Sequence, residues 1–218
     1  MSWDKALKTE SLFSDLVHAR HSIRRFKQKP LPAGSIEAMI QCARRAPSPS
    51  NRQPVRFIRI VSTDIRDRLR ESMENGRESL LASIESGAGS KKLRNWINTY
   101  FRYSEFMFDA PELFAAGAIS VDGFSERLAA AGLIEPGKGT KTDTDISVGL
   151  ALKGFILKAA ELGLGTCILT APLAFIPNIG VVLGLYDIEV KCLITVGFAN
   201  ENPPATSRKP LSEIYFEI

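Results

Sequence analysis

The 218-residue chain contains no apolar run of about 18 residues, so no transmembrane helix is expected. Its first ten residues, MSWDKALKTE, are polar and mixed in charge, and without an apolar h-region they do not predict a secretory signal. Histidine is scarce. His18 and His21 are the only two, three residues apart and with no carboxylate motif beside them, which gives little support to a Ser-His-Asp or Cys-His site. Further ligands that could turn the pair into a metal site are not evident nearby. The three cysteines, Cys42, Cys167 and Cys192, are odd in number and widely spaced. They imply neither a disulfide framework nor a zinc site, and read as small buried hydrophobes in a reducing cytoplasm. A G-x-S-x-G elbow is missing. GLIEPGKG (132–139) comes close to a phosphate-binding loop, but Gly139 stands where a magnesium-holding hydroxyl is needed, and the residues before it look helical. GAGSKK (87–92) lacks the third glycine of a dinucleotide fingerprint and reads as a linker. With no acid–base–nucleophile set, no residue is assigned a catalytic role. If the chain is an enzyme, a cofactor carries its chemistry.

What is present is an ordinary globular composition, 44% hydrophobic and 24% charged, at a length that suits one domain over residues 1–218. The net charge of +4 is unevenly spread. Residues 1–60 carry twelve Lys and Arg against four Asp and Glu, and the remainder is net acidic. The basic charge centres on RHSIRRF (20–26). A nucleic-acid surface would explain it, and so would a buried site for a small, highly charged ligand. RRFKQK lacks the interleaved aromatics of a single-strand binder and the periodicity of a recognition helix. If the segment is extended, alternation puts Arg20, Ser22 and Arg24 on one side and Arg25 on the other.

Leu12, Leu16 and Val17 predict a short helix ending near Arg20. Ile36, Met39, Ile40 and Ala43 predict another, started by Pro32 or Ser35 and stopped by Pro47. APSPSNRQP is a loop and RFIRIV (56–61) a half-buried strand. A long polar helix follows with Asp64 as candidate N-cap, then a helix over about 91–108 with Trp96, Tyr100 and Phe101 on its apolar side. ELFAAGAISV, GTCILTA and VKCLITVGFA read as buried strands, and the C-terminal tail as a segment that could pair as a strand. Between them, ISVGLALKGFILKAAELG is the most apolar helix, and its Ser147, Gly149, Ala151 and Gly154 suit close packing on another helix, from this chain or a second subunit. Residues 122–144, rich in Gly, Lys and Thr, predict a mobile excursion. Helices alternating with few strands indicate an α+β or α/β sheet with much helical cover.

Four separated segments also carry a resemblance. RHSIRRF, APSPSNRQPVRF (46–57), AAELGLGTCILTAP (159–172) and ITVGFANENPPATSRKPLSEI (194–214) resemble, in order and across nearly the whole chain, motifs of the nitroreductase family of FMN-dependent oxidoreductases. The resemblance implies an α+β fold with a central mixed sheet covered by helices, in an intertwined homodimer with two FMN sites across the interface. Arg20 and Ser22 match positions that hold the FMN phosphate, with Thr206 and Arg208 in a tail (205–218) that closes on it and on the partner. Arg24 matches a position near flavin N1 and O2. His21 is either a backbone contact or packing. Pro47, Ser48, Pro49 and Asn51 match the loop that reaches the partner subunit's flavin, and Leu169, Thr170 and Ala171 the turn that passes N5. The implied activity is ping-pong hydride transfer from NADH or NADPH, through the flavin, to a nitroaromatic, quinone or related small-molecule acceptor in the cytoplasm, with no nucleic acid or membrane involved. Same-fold alternatives are ene reduction, dehalogenation and flavin breakdown; outside the family stands a basic nucleic-acid-binding module. Thr170-Ala171 replaces a common Gly pair or Glu-Gly, Val55 replaces a common aromatic, and Tyr103 and Phe106 occupy a region that elsewhere reaches the flavin. The excursion and residues 87–108 are the expected determinants of substrate choice.

Overall fold

A computed structural model describes residues 10–85, 87, 89–121, 123–135 and 140–218. The first nine residues, Ala88 of GAGSKK and the last four residues of GLIEPGKG lie outside the described residues. In chain order the elements are α1 (Glu10–Ala19), α2 (Ser35–Ala43), β1 (Val55–Arg59), α3 (Thr63–Ala82), α4 (Ser90–Glu105), β2 (Glu112–Ile119), α5 (Phe124–Ala130), α6 (Thr140–Glu161), β3 (Gly165–Leu169), α7 (Pro172–Phe175), α8 (Ile179–Leu183) and β4 (Ile188–Gly197). Short 3-10 turns occupy Pro49–Asn51, Phe106–Phe108 and Leu211–Glu213. None of the described helices is long and apolar enough to cross a membrane.

The strands form one sheet in the order β1-β2-β4-β3. All three pairings are antiparallel. The parallel component of the sheet comes from a single bridge outside the named strands, Ser22 to Thr166. β2 lies in the middle, with Leu113 to Ala118 all buried, as a strand covered on both faces must be. Its alternation divides the core. Leu113 and Ala115 face a cluster with Leu69, Met73, Phe101 and Phe175, contributed by α3, α4 and α7. Phe114 and Ala116 face Met39, Ala43 and Phe155, contributed by α2 and α6. On that second face, Phe155 stacks on Phe57 at 5.1 Å and meets Phe114 edge-on at 5.5 Å. The molecule is thus helix, sheet, helix, an α+β arrangement.

Local chemistry fixes several boundaries. Ser62, not Asp64, caps α3: its Oγ accepts from the Ile65 amide at 3.3 Å, and Asp64 is left as an acid in the first turn. Gly163 ends α6 at φ 72°, a conformation that costs glycine little. The Arg66 guanidinium donates to the carbonyls of Ile60, Ala110 and Pro111, holding the entry to β2. The small residues of α6 are used mainly within the chain: a Cβ on Gly154 would lie 3.2 Å from the Cys42 carbonyl of α2, whereas one on Gly149 meets nothing within 4 Å.

Three expectations need correction. Trp96 and Tyr100 are 53% and 57% exposed, and only Phe101 of that trio is buried. The excursion is not a simple loop: α5 lies inside it and α6 begins at Thr140. The tail forms no strand; residues 204–218 are exposed and contain only the Leu211–Glu213 turn.

Candidate functional site

Residues 20–26 run as an extended segment along the open edge of β3. The Ile23 amide donates to the Thr166 carbonyl at 2.9 Å, the Lys27 amide to Phe198 and the Asn200 amide to the Arg25 carbonyl. The basic segment therefore covers an edge strand. Ile23 turns inward and is buried. It packs so closely on Gly165 that a Cβ there would sit 2.6 Å from Ile23 Cγ1. With Ile23 inward, Ser22 and Arg24 turn outward, and both act on the Cys167 thiol. Burial pushes that thiol up, while the Arg24 charge, a hydrogen bond with Ser22 and, more weakly, the Arg20 charge pull it down. Ser22 and Arg24 thus lie beside Cys167, with Arg20 acting on it from further along the segment.

Two clefts open along this segment. One, of about 230 Å³, is bounded by Arg20, His21 and Ile23 against Gly165, Thr166 and Glu201. The next, of about 460 Å³, runs from Arg24 along Cys167, Leu169, Thr170 and Ala171 to Tyr100, Tyr103 and Phe106. Among the described residues neither the Arg20 nor the Arg24 guanidinium has an ion-pair or hydrogen-bond partner. Glu201 also borders the first cleft, but its Oε1 accepts from the Arg24 and Arg25 amides at 2.5 and 3.1 Å. Its charge is engaged in fixing the backbone that carries the arginines. The donors available to a ligand are therefore two unengaged guanidiniums and a hydroxyl, next to an aromatic wall and the β3–α7 turn. Such a set can hold a polyanionic group at one end and a planar ring at the other.

The other expected residues lie elsewhere on the chain. Pro47 and Ser48 border a third cleft of about 370 Å³ between α2, α6 and β1, with Arg44, Gln53, Val55 and Arg56. Pro49 lines a small recess with Arg52, Glu126 and Asp143. Asn51 lies exposed, its Oδ1 accepting from Gln53 Nε2 at 3.1 Å. Thr206 and Arg208 stand on the exposed tail, where the guanidinium donates to the Thr206 and Ser207 carbonyls. Within one chain, then, the structure gathers Arg20 and His21 at one cleft and Arg24, Leu169, Thr170 and Ala171 at the next, with Ser22 between them on the same segment. It does not bring Pro47, Ser48, Pro49, Asn51, Thr206 or Arg208 to them.

Three residues were missed from the sequence. Cys167 could have been found by alternation back from Leu169. Tyr100 was placed on the buried side, because periodicity gives the axis of an apolar stripe but not which flank meets solvent. Glu201 carried no signal in a Pro- and Asn-rich loop. Cys192, by contrast, faces the α2–α6 side, where burial pushes its thiol up to about 12, and it borders none of these clefts.

A sequence model of the nitroreductase family matches residues 17–198. The chain is 23% identical over 226 residues to the candidate NAD(P)H nitroreductase YfhC of Bacillus subtilis strain 168, with both chains covered in full. It is 29% identical over 214 residues to iodotyrosine deiodinase 1 of Rattus norvegicus, covering 94% of this chain and 69% of the rat protein. A deiodinase structure bound to FMN and 3-iodo-L-tyrosine superposes with a TM-score of 0.66 at 20% identity, over 91% of this chain and 95% of that one. A BluB-like flavoprotein from Clostridium difficile 630 superposes more closely, with a TM-score of 0.82 at 23% identity, over 94% of this chain and 98% of that one. With a family match across most of the sequence and a shared fold, the chain belongs to the nitroreductase family and is an oxidoreductase of that family's type.

Proposed function

We propose that the protein is an FMN-dependent homodimeric oxidoreductase, cytoplasmic and working on small molecules, in which residues 1–218 act as one cofactor-binding domain. The observation that carries the reading is that two unengaged guanidiniums, Arg20 and Arg24, stand on one extended segment with Ser22 between them and open onto two clefts along it, the second lined by Cys167 and Leu169–Ala171. Arg20 and Ser22 would hold the FMN phosphate, where a guanidinium fork matches a dianion. Arg24 would lie against the pyrimidine edge of the ring and stabilise negative charge that builds there on reduction. When bound, FMN supplies hydride acceptance from NADH or NADPH and hydride donation to a nitroaromatic, quinone or related acceptor. The chain's own residues position and tune: the β3–α7 turn passes the ring, and Tyr100, Tyr103 and Phe106 wall the seat above it.

The distance of the Pro47–Asn51 loop from this groove supports a site completed by a second subunit, with Pro47, Ser48, Pro49 and Asn51 reaching the partner's flavin. Thr206 and Arg208 would close on the phosphate once the tail is docked. The three unpaired thiols suit a reducing compartment.

Identity to iodotyrosine deiodinase favours a second reading in which the same seat reduces a halogenated phenol, since an aromatic wall suits either ring. The test is to purify the protein, record flavin absorption, and measure FMN-dependent thermal stabilisation. NADH and NADPH are then run against nitroaromatic, quinone and halophenol acceptors. The reading expects a yellow protein that consumes one nicotinamide with the first two acceptor classes. Turnover of the halophenol alone would move the assignment to dehalogenation. A colourless protein that FMN does not stabilise would overturn the flavin reading itself.

A further inference from the structure

The loop before β1 holds three non-glycine residues in the left-handed region: Ser50 at φ 53°, Asn51 at 52° and Gln53 at 48°. L-residues adopt that region at a cost and keep it only where surrounding contacts over-determine the backbone. Part of the restraint is internal: the Gln53 amide donates to Ser48 Oγ at 2.9 Å, and the Asn51 amide to the Ser48 carbonyl. The rest passes through one side chain. Arg52, between the strained residues, keeps ordinary right-handed geometry at φ −73°. Its Nε donates to the Pro49 carbonyl at 3.0 Å, and its Nη2 reaches Asp143 Oδ2, in the first turn of α6, at 2.8 Å. The Arg52 side chain is 17% exposed and that of Asp143 40%, so the bridge is partly shielded from solvent.

Gly123 packs against the same guanidinium. Its φ of −90° needs no glycine. A Cβ there, however, would lie 2.3 Å from Arg52 Nη1 and 2.2 Å from Glu126 Oε2. Arg52, Glu126 and Asp143 also line one recess with Pro49. The excursion that leads into α6 thus meets the strained loop at the Arg52 guanidinium.

We propose that Arg52 is a positioning residue: it ties the Ser48–Gln53 loop to Asp143, so that the excursion sets the geometry with which this loop meets FMN. The inference rests on the flavin reading above. It gives Gly123 and Asp143 a task distinct from lining the substrate channel, because they act on the cofactor seat through Arg52.

Five single variants and one double are compared with wild type: Arg52→Ala, Arg52→Lys, Asp143→Asn, Asp143→Ala and Gly123→Ala, with Arg52→Ala/Asp143→Ala as the pair. The first readout is FMN affinity by fluorescence quenching. The second, free of cofactor, is the rate of proteolysis within residues 44–56 of the FMN-free protein, beside its melting temperature. Arg52→Ala and Asp143→Ala are each expected to weaken FMN about tenfold or more, since a charge-assisted contact with two acceptors is lost. Their double should be no weaker than the worse single, because both break one link. Arg52→Lys should recover less than half of the loss, because an ammonium cannot reach two diverging acceptors as a guanidinium does. Gly123→Ala removes no contact and only crowds the guanidinium, so weakening there separates positioning from bulk stability. All the weakened variants should be cut faster in the loop while melting close to wild type. If wild type binds no FMN, the flavin reading falls and takes this one with it. If wild type binds FMN and Asp143→Asn and Gly123→Ala match it in affinity and cleavage, this inference alone is overturned.

Discussion

Arg20 and Arg24 differ from the arginines that fix the fold in what they lack. Arg52, Arg59 and Arg66 each spend their guanidinium on carboxylates or carbonyls, whereas the groove pair has no such partner among the described residues. Arg24 is exposed, but Arg20 is half-buried, and a half-buried charge left in that state suits an anionic ligand. Arg20→Ala is accordingly expected to weaken FMN by about 10- to 100-fold, the equivalent of the roughly 1.5–3 kcal/mol carried by a hydrogen bond to a charged group. Fluorescence titration checks this, and unchanged affinity removes Arg20 from the phosphate. Cys192 gives a prediction of another kind. Its thiol, ordinarily at 9.0, is pushed up to about 12 by burial, so the folded state holds a proton that the unfolded state gives up first. Stability from this group is complete below about pH 9 and declines as pH rises toward 12, by at most about 1.4 kcal/mol per unit. Denaturant melts across that window should show a shallower alkaline decline in Cys192→Ala. Part of the slope that remains reflects Cys167, which is shifted in the same direction.

Among the elements, β2 shows what pattern reading delivers and where it stops. Its run of apolar residues identified a buried strand, because hydrophobicity unrelieved by alternation means cover on both faces. The same pattern could not show that Gly117 is fixed by the neighbouring strand. The pairing with β4 shifts register at Ala116/Gly117, and a Cβ on Gly117 would lie 2.2 Å from the Glu189 carbonyl oxygen. That contact is with backbone and cannot swing aside. Gly117→Ala is therefore expected to destabilise the fold by about 2 kcal/mol or more, seen as a drop of several degrees in melting temperature. A melt within one degree of wild type would show that the bulge absorbs the methyl. Helix ends divide in the same way. Ser62 and Asp64 are both good caps by composition, and only the β-region backbone of Ser62, at φ −72° and ψ 126°, decides between them. In the site, the alternation of RHSIRRF was legible because period two is a property of any extended segment. Glu201 was not, since its partner amides lie more than 170 residues away in sequence.

At the scale of the whole molecule, the exposed tail is what one chain leaves unexplained. Leu211, Ile214, Tyr215 and Phe216 are all more than half exposed, although they lie within six residues of one another. Apolar side chains gathered in this way are seldom left in water, and they mark a surface that is covered in the working state. Over residues 204–218 the only regular element is the Leu211–Glu213 turn, and the nearest ion pair, Lys209 to Glu213, is internal to the tail. The core should therefore fold without it. Two parts of the proposed cofactor site, Arg208 and the Pro47–Asn51 loop, stand away from the groove, and docking of a tail and a loop from a second copy would complete it. A chain truncated after Pro204 should thus keep its helix and sheet signals and melt as one transition. It should elute at the size of one chain, not two, and should bind FMN at least tenfold more weakly. Full-length protein carrying Phe216→Asp separates the tail's apolar contact from its phosphate contact: association should weaken while Arg208 remains. If the truncated chain stays dimeric and keeps its FMN affinity, the tail is neither clasp nor clamp, and the phosphate rests on Arg20 and Ser22 alone.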